Sequence, residues 1–181
     1  MTSFRKLAER EIYRGHLIRV AEGTFEDPDG STFSRELVHH PGAVSVVPMA
    51  DDHDVLLLRQ YRAAVDLELL EIPAGKRDVE GEPAEETARR ELEEEVGMRA
   101  GQLDKLAEFY NSPGFCDEHS VVFLARDLEA CRASAQGIEE QHMTVERVPL
   151  ADVPELVRSG RLLDAKSIIG LFLARELLAS P

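Results

Sequence analysis

The sequence predicts an α/β fold, with a mixed sheet sandwiched between helices and antiparallel strands at the N-terminus. Two apolar runs, Ala43 to Met49 and Val55 to Tyr61, have the length and the β-branched or leucine-rich make-up of central strands covered on both faces. Three helical patterns complete the layers: a charged stretch from Pro83 to Val96, then Leu150 to Ser159 and Ala165 to Leu178.

Each element follows from local chemistry. Leu7 to Tyr13 and Leu17 to Thr24 alternate loosely, as strands do, and Phe33 to His39 returns as a hairpin partner. The turn before it, Asp27-Pro28-Asp29-Gly30, combines a preset φ at proline, a side-chain acceptor and a glycine. The polar turn Asp51-Asp52-His53-Asp54 separates the two apolar strands, and Leu67 to Ile72 is the next strand. Pro73-Ala74-Gly75 opens a loop, and Glu82-Pro83 closes it with proline at a first-turn position of the helix. Gly97 is placed to end that helix in the left-handed conformation. Leu103 to Tyr110, Ser120 to Ala125 and Met143 to Val148 read as further strands, and Gly160 divides the two last helices. Residues 1 to 42 are too thin to fold alone, so the expected organisation is an N-terminal strand region, 1–42, and a core domain, 43–181.

Composition narrows the function. A chain of 181 residues can bury a substantial core and is short for two full domains. The formal net charge of −14 argues against nucleic acid as a partner, which calls for a basic footprint. Cys116 and Cys131 follow no metal spacing and read as free thiols. The N-terminus lacks an apolar signal region, and no run of about 18 apolar residues occurs, so a cytoplasmic protein without membrane contact is expected.

The chemistry concentrates in the charged helix. On an α-helix Glu91, Glu94 and Glu95 fall at i, i+3 and i+4 and crowd one face. Like charges at that spacing oppose helix formation by roughly 0.2–0.5 kcal/mol per pair. An acidic run on an arbitrary helix is more often a solvated face. Here a loop precedes it, a glycine stops it, and Arg90 stands beside it to fix an acid's rotamer. Oxygen ligands so grouped suit a hard divalent cation such as Mg²⁺ or Mn²⁺, which pairs carboxylates with substrate phosphates.

The segment from Gly75 to Met98 resembles the Nudix box, in which glycine, five residues, glutamate and seven residues lead into Arg-Glu-apolar-x-Glu-Glu-x-Gly-apolar. Arg90-Glu91-Leu92-Glu93-Glu94-Glu95-Val96-Gly97-Met98 matches its downstream half, and Glu82 stands in place. Gly75 lies one residue further from Glu82 than the pattern asks, with Gly81 the expected site of accommodation. Ser112-Pro113-Gly114 with Glu118, where Pro113 falls fifteen residues after Met98, is similar to the ADP-ribose pyrophosphatase branch. So are Arg59-Gln60-Tyr61-Arg62, Leu70-Glu71-Ile72-Pro73-Ala74-Gly75 and Gly160-Arg161-Leu162-Leu163-Asp164-Ala165-Lys166-Ser167.

The resemblance implies an α/β/α sandwich and metal-dependent hydrolysis of ADP-ribose to AMP and ribose 5-phosphate, with Mg²⁺ as cofactor and Mn²⁺ or Zn²⁺ as substitutes. It implies Glu91, Glu94, Glu95 and the Ala74 carbonyl as metal ligands, Arg90 as their orienting partner, and Glu82 as a tie between loop and helix. Glu140, with Glu139 beside it, matches the loop glutamate that serves as base in similar hydrolases. Arg62 is the expected diphosphate contact, Arg35, Glu36 and Arg59 lie near the nucleotide, and Glu118 reaches the terminal ribose. Tyr13, Phe25 and Phe33 could stack on adenine, but aromatics in strands are more often core. The family also suggests a homodimer that exchanges its N-terminal strands. The alternatives are another nucleoside diphosphate derivative as substrate (a nucleotide sugar or dinucleoside polyphosphate) or a non-catalytic ADP-ribose sensor. Against the sensor stand the intact Glu91, Glu94 and Glu95.

Overall fold

In the computed structural model, which describes residues 3–132 and 142–179, the chain divides into two compact units: Met1–Gly42 with Phe109–His119, and Ala43–Glu108 with Ser120–Pro181. The first is built on an antiparallel sheet of β1 (Arg5–Arg14), β2 (Arg19–Glu26) and β3 (Thr32–His39). The β2–β3 turn forms as its residues predict. Asp27 Oδ1 accepts from the amides of Asp29 and Ser31 at 2.9 Å each, and Gly30 takes a φ of 87°. Phe25 and Phe33 stack at 5.6 Å between centroids, and Phe4 meets Phe33 edge-on at 6.0 Å.

Residues 112–117 attach to β3 in the same unit. The Val38 amide donates to the Phe115 carbonyl at 2.7 Å, and the Asp117 amide donates back to the Val38 carbonyl at 3.1 Å. The turn itself closes through the Phe115 and Cys116 amides, which both donate to the Ser112 carbonyl.

The second unit contains β4 (Ala43–Pro48), β5 (Asp54–Arg62), β6 (Leu67–Glu71), β7 (Ala74–Lys76), β8 (Met98–Tyr110), β9 (His119–Ala130) and β10 (Thr144–Pro149), the ends of β8 and β9 aside. Its helices are α1 (Ala84–Glu91), α2 (Val153–Arg158) and α3 (Ala165–Ala179). One sheet has the order β7-β4-β9-β8, with β4 parallel to β9 and antiparallel to β7; a second, antiparallel, has the order β10-β5-β6.

The period of two along a strand explains how both faces of the mixed sheet are covered. Val44 and Val46 on β4, with Val121, Phe123 and Ala125 on β9, cluster with Ala88 and Leu92 of the acidic helix. The alternate residues Val47 and Val122 approach Gly170 of α3 so closely that an added Cβ would lie 3.0 and 2.9 Å from them. Helix, mixed sheet and helix therefore form the expected α/β/α sandwich, which is why Ala43 to Met49 carries no polar face.

Three local expectations are corrected. Ala74–Lys76, read as the opening of a loop, is a short strand, with Val44 opposite Gly75 and Ser45 opposite Ala74. Three residues without apolar alternation carry no strand signal; pairing with β4 makes them one. The acidic helix is α-helical only to Glu91, and Leu92–Val96 widens into a π-helical turn before Gly97 ends it at φ 68° and ψ 34°. The i, i+3, i+4 geometry thus does not hold through the acidic cluster, and such π turns recur at functional sites. Pro83 precedes the helix as its cap residue instead of standing in the first turn.

Candidate active site

The acidic helix, its π turn and β7 bring the box residues together. Arg90 is the centre: its Nη1 donates to Glu91 Oε1 at 2.7 Å and to Glu94 Oε2 at 3.3 Å, and its Nη2 donates to Glu82 Oε2 at 3.4 Å. Burial works against the Arg90 charge, but the Glu82 bond and the charges of Glu91 and Glu94 outweigh it and raise its pKa. Glu82 also accepts from the Thr87 hydroxyl at 2.7 Å. That bond, with help from Arg90, holds its carboxyl below the usual carboxylate range. Glu82 therefore spans from the loop to the helix, as its position implies.

The loop turns at Val79–Glu82, where the Glu82 amide donates to the Val79 carbonyl at 3.2 Å and Gly81 adopts a φ of 79°. Gly75 has a different reason to be glycine. A Cβ there would lie 1.9 Å from Glu91 Cδ and 2.1 Å from its Oε1, so the β7 backbone lies directly against the Glu91 carboxylate. One residue earlier, the Ala74 amide donates to Glu95 Oε2 at 3.0 Å.

These residues fit a hard divalent cation. Arg90 Nη1 touches Glu91 and Glu94 at once, so one cationic centre can reach both carboxylates, and all the side-chain donors are oxygens. Among the described residues, no three carboxylates, imidazoles or thiols already converge on one point. Glu91 and Glu94 turn to Arg90, while Glu95 turns to Ala74.

The expected substrate residues are distributed over both units. Arg62 and Arg59 belong to the same unit as the acidic turn; Arg35, Glu36 and Glu118 belong to the other. Arg62 grips Glu71 through two bonds of 2.7 Å, and Arg59 Nε donates to Glu146 at 2.6 Å. Arg35 lies over the Phe33 ring at 4.7 Å and donates to the Ser34 carbonyl; Glu36 is exposed opposite Glu22 on β2. The Glu118 carboxylate is 3.9 Å from His40 Nδ1. Glu139 and Glu140 lie outside the described residues.

Sequence reasoning missed the partners of Arg62. Glu71 is 1% exposed and also receives Lys166, from the start of α3. Burial alone would raise the Glu71 carboxyl; the Arg62 bond and the Lys166 charge outweigh it and lower its pKa. A carboxylate lowered in the folded state contributes stability that is present above its unfolded pKa of about 4.3 and lost as pH falls through the folded value. Stability is therefore expected to fall below about pH 4, and Glu71→Gln should flatten that slope, as measured by urea unfolding at successive pH values. An unchanged slope in the variant removes Glu71 from this role.

The chain is similar to known proteins over most of its length. The NUDIX domain profile matches residues 39–167, which include every box residue. The chain is 39% identical to the ADP-ribose pyrophosphatase of Bacillus subtilis (strain 168) over 90% of its own length and 88% of that protein's. It is 34% identical to the ADP-ribose pyrophosphatase of Mycobacterium tuberculosis over 93% of its length and 81% of that protein's. The crystal structure of an ADP compounds hydrolase superposes with a TM-score of 0.83 at 29% identity, covering 97% of this chain and 94% of the other. Among the described residues, no helix is long and apolar enough to cross a membrane.

Proposed function

The chain belongs to the Nudix family, and on that premise we propose that it hydrolyses the diphosphate bond of ADP-ribose to AMP and ribose 5-phosphate, using a bound divalent cation. The observation that carries this reading is the shared contact of Glu91 and Glu94 with one cationic nitrogen, with β7 against Glu91 and bonded to Glu95. The substrate class is taken from the two ADP-ribose pyrophosphatases to which the chain is similar.

Glu91 and Glu95 are the proposed principal ligands, with Glu94 and the Ala74 carbonyl completing the set and Mg²⁺ as the ion (Mn²⁺ or Zn²⁺ as substitutes). A cation held there would neutralise charge on the phosphates and favour attack by water. The chain's own residues do the rest. Arg90 and Glu82 orient the acidic turn, and Arg62 takes the diphosphate, with Arg59 as a weaker neighbour. Arg35 and Glu36 are assigned to the nucleotide, Glu118 to the terminal ribose, and Glu140, with Glu139 beside it, to the proton taken from water.

The strand region 1–42 is proposed to build a homodimer by exchange with a second copy. β1 is an edge strand carrying the exposed Ile12 and Tyr13, with the exposed Phe4 just before it, which supports that role. Sedimentation at micromolar concentration tests it; a strict monomer rules it out.

The deciding assay is turnover of ADP-ribose with Mg²⁺, with and without chelator, beside ADP-glucose, GDP-mannose and a diadenosine polyphosphate. Chelator-sensitive release of AMP and ribose 5-phosphate, fastest from ADP-ribose, is expected. Equal rates on all four substrates would discard ADP-ribose specificity, and tight binding without turnover would establish a sensor.

A further inference from the structure

The buried carboxylate of Glu71 joins three elements. Leu58, Gln60 and Arg62 share one face of β5 by strand alternation, and Glu71 lies opposite Leu58 at the end of β6. Arg62 folds back over that face, so that Nε donates to Oε1 and Nη2 donates to Oε2. Lys166 Nζ donates to the same Oε2 and lies 2.9 Å from Asp164. Asp164 Oδ2 accepts from the Ser167 amide at 2.9 Å and its hydroxyl at 2.5 Å, which begins α3. Ser167 Oγ in turn accepts the Ile72 amide at 2.8 Å.

A plain structural staple does not account for this arrangement. The Ser167–Ile72 bond already joins α3 to the end of β6 without any charge. Arg62 is also not enclosed: its side chain is 39% exposed, against 15% for Lys166 and 1% for Glu71. Besides its bond to Glu71, which outweighs burial, the Arg62 charge is stabilised by the negative charges of Glu95 and Asp164. Lys166 pairs with Asp164 as well as Glu71, so the four groups sum to zero charge; what the second cation adds is a fixed place for the Glu71 carboxylate, and the exposed end of the cluster is Arg62.

We propose that Lys166 is a positioning residue: by sharing and fixing the buried Glu71 carboxylate, it orients Arg62 to hold the substrate diphosphate. The bidentate pair fixes the guanidinium plane, and Lys166 fixes the carboxylate that defines that plane. This rests on the reading of Arg62 as a diphosphate contact.

A double-mutant cycle with ADP-ribose and Mg²⁺ tests it, using Lys166→Met, Arg62→Ala and the double variant, with thermal unfolding of each. Lys166→Met is expected to raise KM about tenfold and change kcat less than threefold. In the Arg62→Ala background it should change KM no further, whereas a merely structural lesion adds to it. Lys166→Arg should recover most of the loss, and Lys166→Gln is the second neutral variant should Lys166→Met not fold. An unchanged KM in both neutral variants, or additive effects with Arg62→Ala, overturns the proposal while leaving the Arg62 contact standing. An unchanged KM in Arg62→Ala instead removes that contact, and the proposal with it. If another nucleoside diphosphate derivative proves to be the substrate, the cycle is read with that compound.

Discussion

Glu95→Gln is expected to fold normally and lose about 10³-fold in kcat, equivalent to roughly 4 kcal/mol of transition-state stabilisation. The substitution keeps the side chain's size and leaves an oxygen able to accept the Ala74 amide bond, now 3.0 Å long. What it removes is the negative charge, and with it a ligand for a hard cation. Three readouts separate this from a folding defect: an unchanged circular dichroism spectrum, a thermal midpoint within a few degrees of the parent, and turnover reduced even at high Mg²⁺. Turnover near the parent level in a folded Glu95→Gln protein would take Glu95 out of the metal set. Glu94 and the Ala74 carbonyl would then have to carry the site with Glu91.

Gly75→Ala should damage both stability and activity. The added methyl would sit 1.9 Å from Glu91 Cδ, 2.1 Å from Oε1 and 2.2 Å from Cγ, distances no packing tolerates. Glu91 is held by Arg90, and Gly75 is paired with Val44 in the mixed sheet, so either the carboxylate leaves its place or β7 pulls away from β4. Overpacking of this kind costs about 1–3 kcal/mol. For a chain of this size that lowers the midpoint by roughly 2–12 °C. Because the displaced group is a proposed ligand, kcat/KM should fall at least 100-fold, well beyond what the stability loss explains.

Gly81→Ala is the internal control. Gly81 has a φ of 79° and nothing within 4 Å of an added Cβ, so its substitution strains the backbone by about 1–2 kcal/mol without touching an acid. Its turnover should stay close to that of the parent. Comparable kcat/KM losses in the two variants would mean that loop strain, not the displacement of Glu91, governs activity.

The contrast between these two glycines shows where sequence reading stops. Gly97 and Gly81 were legible because positive φ is a local demand, written in the residues that flank it. Gly75 was recognised as a motif position, but its reason, the carboxylate of a residue on the following helix, exists only when β7 pairs with β4. The box acids were legible as a group. Their geometry was not, because an α-helical count cannot foresee the π turn at Leu92–Val96. Arg62 was identified as a candidate while its partners went unnamed, since Glu71 reads as one more residue of a strand and Lys166 as one more exposed cation.

The sequence by itself determined the layer order, the position of the acidic turn and the family, because hydrophobic period, turn chemistry and motif spacing act over a few residues at a time. Only the tertiary structure decided that Arg90 gathers Glu82, Glu91 and Glu94, and that β7 packs against Glu91. The same is true of Lys166, which meets Glu71 across 95 residues of chain. Those contacts depend on which strands pair and which helix covers them, and a buried charge finds its partner only once that packing has removed water from around it.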